Sequence, residues 1–192
     1  MRIVDIINDG ANLLGMVDVC EKLSSVHPGQ EEILLEDRDI KRLFNTTKFA
    51  IQELCTHYIP VVVCEDIKTE NASYPISKLP NYIKLIKVTS GDEVVSHKIS
   101  KRVIMLPKDG VYTVEYTAYP QISSLFESAD YLMDISPDVV VYGLCSYYAL
   151  ATGQFQEFER FHEEYIKKAE NIRELKIFDL PRRRWQWVWK KD

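Results

Sequence analysis

Glycine is scarce in this chain, seven among 192 residues, and none of them falls in a GxGxxG or Walker-type GxxxxGK spacing. Without such a loop there is no run of backbone amides to cradle a phosphate, so nucleotide-driven chemistry has no visible platform. The four histidines (His27, His57, His97, His162) lie in four different stretches, and the four cysteines (Cys20, Cys55, Cys64, Cys145) show no CxxC pairing. No apolar run approaches the roughly 20 residues of a membrane-spanning helix. The opening stretch, MRIVDIINDGANLLG, holds two Asp and no long apolar core, which is unlike a signal peptide. A reducing cytoplasm is therefore the expected site of synthesis, with the thiols reduced and serving as small hydrophobes.

Side chains that could support a reaction are thinly spread. Cys55, His57 and Cys64 form a C-x-H-x6-C spacing around the corner at Pro60, with Glu65 beside it. Tetrahedral zinc sites usually show paired ligands in short knuckles, so two buried thiols and a surface histidine are the expectation here. Cys145 and His162 could face each other as a nucleophile pair, but Cys145 falls inside a helical pattern where no backbone amide is free for an oxyanion. Glu157, Glu159, Glu163 and Glu164 fall at helical spacing and read as a solvated face. No enzyme, metal or cofactor is expected.

What the chain does have is a concentration of tryptophan. All three, Trp185, Trp187 and Trp189, stand in RRRWQWVWKK, residues 182–191, just after Pro181. Residues 182–192 carry five basic side chains and one acidic, a net +4, which leaves −9 for the rest of a chain whose formal charge is −5. So acidic a body repels a nucleic-acid backbone, and only this tail could attract one. An extended tail puts the three indoles on one face, a strip of about 14 Å. The indoles with Arg182, Arg183, Arg184 and Lys190 read best as a partner-binding arm, Trp and Arg being favoured interface anchors. Two other readings stand beside it: an edge strand folded back on its own domain, and a nucleic-acid finger with phosphates on the basic residues and bases on the indoles.

Hydrophobic periodicity divides the rest. Ile3, Ile6, Ile7, Ala11 and Leu14 recur at helical intervals up to Gly15, and VDVCEKL suggests a short second helix before the breakers of SSVHPGQ. A longer stripe of Ile40, Leu43, Phe44, Thr47, Ile51, Leu54, Cys55 and Tyr58 begins near a capping Asp37 and closes at Pro60. The period then shortens to two. VVVCEDIK, YIKLIKV, EVVSHKI, RVIML and VYTVEYTAY read as an antiparallel meander of four or five strands. PQISSLFESADYLM, residues 120–133, reads as a linker. A helix then starts with Ser136 as N-cap and Pro137 at its first position, turning Val140, Leu144, Tyr147, Tyr148 and Ala151 inward. Gly153 turns the chain into a last helix with Phe155, Phe158, His162, Tyr165, Ala169 and Ile172 on its stripe.

The expected class is α+β: a helical bundle built from both chain ends, with an inserted antiparallel β-sheet module and an extended C-terminal arm. The parts are 1–59, the first half of the bundle; 60–120, the β-module; 121–176, the C-terminal helical hairpin; and 177–192, the arm. Ile7, Leu14, Phe44, Ile51, Leu54, Leu144, Tyr148 and Tyr165 should be buried together.

The hairpin ISPDVVVYGLCSYYALATGQFQEFERFHEEYIKKAENIREL resembles that of bacteriophage head–tail connector proteins. There a Pro-capped helix leads through a Gly turn into a helix ending in a pattern matched by Tyr165, Ala169 and Arg173. IVDIINDGANLLG is similar to their opening helix, and DIKRLFNTTKFAIQELCTHYIP to their second long helix. The order of parts resembles the neck adaptor, or tail tubular gatekeeper, class. The YGLCSYYAL helix departs from it, with tyrosines where many such proteins have alanines. The resemblance implies a virion structural protein of the neck: a homo-oligomeric ring, typically dodecameric, between portal and tail or nozzle proteins. DNA passes through such a ring with non-specific contact. The alternative is a nucleic-acid-binding module that uses the basic-aromatic tail.

Overall fold

The computed structural model describes residues 1–25, 29–129, 132 and 135–179, with the side chains of the last helix to residue 172. Six helices and seven strands make an α+β fold among these residues. The helices are α1 (Ile3–Leu13), α2 (Val17–Ser25), α3 (Glu31–Glu36), α4 (Arg38–His57), α5 (Pro137–Ala151) and α6 (Phe155–Asp179). The strands are β1 (Val61–Lys68), β2 (Ser73–Pro75), β3 (Tyr82–Ser90), β4 (Glu93–Val94), β5 (Lys98–Ser100), β6 (Val103–Met105) and β7 (Val111–Ala118).

Helix ends follow their local chemistry. Asp37 caps α4 by accepting from the amides of Asp39 (2.9 Å) and Ile40 (3.2 Å), two donors with no partner inside the helix. After α5, Gly153 has φ +75°, where a Cβ is strained, and its amide donates to the Leu150 carbonyl while that of Gln154 donates to Ala149. This double closure reverses the chain into α6. Gly15 ends α1 in the same way. Ser136 occupies the N-cap position of α5, but its hydroxyl makes no capping bond, so that start rests on Pro137 and Asp138.

Two cores divide the apolar residues. The helical core takes Ile3, Ile6 and Ile7 from α1, Ile40, Leu43, Ile51 and Leu54 from α4, Val140 and Leu144 from α5, and Phe161 and Tyr165 from α6. Both ends of the chain thus close one bundle, in which α5 packs against α1, α4 and α6. Leu14 is only half-buried at its margin. The stripe of α6 differs from the expected one, with Phe161 inside and Phe155 65% exposed. The helix emerges from the Gly153 turn with Phe155 on the solvent side, so the aromatic two turns later meets the core. Ala151 is exposed for the related reason that it stands at the last turn of α5, past the packed region.

The β-residues form a second core around Ile67, Leu85, Val88, Ile104, Tyr112, Val114 and Tyr116. They make two antiparallel sheets, of order β1-β7-β3-β4 and β2-β6-β5. The expected meander is therefore corrected: β7, last in sequence, lies between β1 and β3, bonded along both edges. Its alternation explains the place, because Tyr112, Val114, Tyr116 and Ala118 give one continuous apolar face. A short strand that the periodicity did not mark falls in Ser73–Pro75.

The described residues of 120–133 are not a plain linker. Ile122, Leu125, Ala129 and Leu132 are buried in the helical core. The amide of Ile3 donates to the Glu127 carbonyl (3.0 Å) and that of Ala129 to Met1 (2.8 Å). The Glu31 carboxylate accepts from the Leu125 amide (2.6 Å) and the Ser124 hydroxyl (2.8 Å). Those bonds give α3, a helix absent from the sequence expectation, its own role: it supplies Glu31 to hold this strap.

Candidate interaction surface

The residues singled out in the C-terminal arm (Arg182, Arg183, Arg184, Trp185, Trp187, Trp189 and Lys190) lie outside the described residues, as does His27. The last helix is described as far as Asp179, two residues before Pro181.

The other sequence candidates are dispersed. Cys55 is buried on the inner face of α4, His57 is exposed at its last residue, and Cys64 is exposed on β1. No group of three or more His, Cys, Asp or Glu gathers as a metal site among the described residues. Cys145 faces the other way from His162, donating its thiol toward the Gly10 carbonyl at 3.6 Å. Burial pushes that thiol's pKa up to about 12, the opposite of an activated nucleophile. His162 instead stacks on Phe158 and has Nδ1 3.3 Å from the Ser146 hydroxyl. Ser146 is fully buried in the middle of α5, where helical bonds occupy the amides and no reactant reaches it. This pair packs; it does not present a nucleophile.

Two features of the α4–α5–α6 layer were not legible beforehand. Inside it, the Glu53 carboxylate of α4 accepts from Tyr147 of α5 and from Tyr165 of α6, the latter at 2.9 Å. Burial first, and the facing carboxylate second, raise the pKa of both phenols above the ordinary value. One acid thus holds three helices together through neutral hydroxyls.

On the outside, the first half of α4 and the second half of α5 leave a groove of about 630 Å³ lined by Arg38, Lys41, Arg42, Asn45, Phe49, Tyr147 and Leu150, among others. Its floor is apolar, with Phe49 56% and Leu150 43% exposed. Phe49 meets the Tyr147 ring edge-on at 4.7 Å. Its shoulder is cationic. Arg42 is partly spent on Asp39, at 4.0 Å, and on the Tyr148 ring, at 5.9 Å. Arg38 and Lys41 have no ion pair among the described residues. A signal for this groove existed in the sequence, because Phe49 is a large apolar residue that falls off the Ile40–Tyr58 stripe.

The architecture defines an α+β chain with a two-ended helical bundle and a satellite β-module. No protein-family model matches it, and no curated protein matches it at a significant level.

Proposed function

We propose that this chain is a bacteriophage head-to-tail adaptor, a structural virion protein that forms a ring between portal and tail around the DNA channel. The observation that carries the reading is the division into two cores. Helices from both chain ends close one bundle, which leaves the inserted sheets as a separate body with its own apolar centre. A subunit of a neck ring needs such a division, one body to pack against its neighbours and another to reach a second layer. The −9 charge of residues 1–181 supports it too, since an acidic channel wall does not grip passing DNA.

In this reading the Trp strip anchors assembly on the portal or on the adjacent subunit. Each indole contributes about 2 kcal/mol when it fills an apolar pocket, and the arginines pair with carboxylates on the rim. Mass measurement of the chain alone and mixed with the portal of its virion tests the proposal. A ring on the portal is the expected result. Changing Trp185, Trp187 and Trp189 together to Ala should leave the melting temperature nearly unchanged and abolish that assembly. A chain that stays monomeric on the portal overturns the proposal. Salt-dependent DNA affinity that vanishes with residues 182–192 would instead favour a nucleic-acid-binding module.

A further inference from the structure

Two surfaces of the helical bundle are exposed, and they are complementary. One is the groove between α4 and α5, with Phe49 and Leu150 on its floor and Arg38, Lys41 and Arg42 along its shoulder. The other is the outer line of α6. Phe155, Glu159 and Glu163 follow one another at four-residue steps, all exposed. Arg160, their nearest cation on the helix, is engaged with Glu157 at 2.8 Å. Glu159 and Glu163 have no ion pair among the described residues.

The spacings agree. From Phe49 back to Lys41 is eight residues along α4, and from Phe155 on to Glu163 is eight residues along α6. At 1.5 Å per residue each span is about 12 Å. With the helices antiparallel, an aromatic meets the aromatic floor at one end and a carboxylate meets a cation at the other. Glu159 then falls opposite Asn45, about one turn from Arg42. Antiparallel helix dipoles favour the same orientation.

We propose that the α4–α5 groove receives the outer face of α6 from a second copy of this chain, with Phe155 against Phe49 and Leu150 and Glu163 facing Lys41 and Arg38. The proposal rests on the ring reading only in taking the partner to be another copy. Donor and acceptor are different patches of one subunit, so the contact is head-to-tail. Repeated, it closes a ring or runs on as a filament. It also accounts for a cationic shoulder on an otherwise acidic body, because the shoulder faces the acidic α6 of its neighbour.

Charge reversal tests it, read by sedimentation of the isolated chain over a range of concentrations. The wild-type chain should self-associate. Arg38→Glu with Lys41→Glu should weaken association by about tenfold or more, and so should Glu159→Lys with Glu163→Lys, each with an unchanged melt. Mixing the two double variants, or combining all four changes in one chain, should restore it. A wild-type chain that is monomeric at every soluble concentration overturns the proposal, while leaving assembly on the portal open to its own test. Rings that form undisturbed in either double variant overturn this contact and leave the adaptor reading intact. Loss of duplex-DNA binding by the Arg38/Lys41 variant, with its self-association unaltered, would make the groove a phosphate site and likewise overturn it.

Discussion

Tyr165 of the last helix donates its hydroxyl to Glu53 of α4 across 112 residues of sequence, at 2.9 Å. The same carboxylate oxygen takes the Tyr147 hydroxyl of α5. Replacing Glu53 with Gln keeps the shape and one acceptor oxygen but removes the charge that strengthens both bonds. A loss of about 1–3 kcal/mol is expected, measured by urea denaturation.

The same cluster sets an alkaline limit. Burial, then the Glu53 charge, raise the folded pKa of Tyr147 and Tyr165 above the ordinary value of 10.0. Above pH 10 the unfolded chain releases these protons while the folded chain keeps them. The stability they confer is therefore complete below pH 10 and falls as pH rises beyond it. Tyrosinate absorbance should show these two phenols ionising together with loss of helical circular dichroism. Their titration at pH 10 in an intact fold would contradict the burial.

Leu54 is fully buried in the helical core. Leu54→Ala should cost about 2–5 kcal/mol, the removed methyls plus the cavity they leave. Hydrogen exchange should show the loss in α1, α4 and α5 ahead of the β-sheets, whose core is separate.

Gly143 of α5 lies at a close approach of helices. A Cβ there would stand 3.0 Å from Ala50 Cβ and 3.0 Å from the Tyr165 ring. Gly143→Ala should destabilise the fold by about 1–3 kcal/mol, despite alanine's better helix propensity, because the ring is held by Glu53 and cannot yield freely. A stabilised variant would show that the three helices have room to separate.

Lys101 and Arg102 join β5 to β6 with φ of 48° and 64°. Both central residues of this two-residue turn are left-handed, a geometry that suits Asn-Gly. Lys101→Asn with Arg102→Gly should raise the stability of the β-module by about 1 kcal/mol or more, read as a higher melting temperature.

The cysteines should separate by rate. Cys64 is exposed on β1, whereas Cys145 is buried with its pKa raised to about 12. Mass spectrometry after brief alkylation should find Cys64 modified and Cys145 untouched, and comparable rates would sink that placement.

The sequence by itself determined the class of fold, because helical and strand periods are local properties. The stripe from Ile40 to Cys55 and the alternation from Val111 to Ala118 each report which face turns inward without knowing what it meets. Turns and starts were legible on the same ground, in Asp37 and Gly153, where a single residue's local preference decides. Partnership was not legible, because it depends on residues far apart in the chain. Only the tertiary structure placed β7 between β1 and β3, bound residues 124–129 to the chain start and Glu31, and joined Glu53 to two tyrosines more than ninety residues away. The groove at Phe49 is of the same kind. Its floor and shoulder are surface residues of two helices, and they become a site only because packing sets those helices side by side.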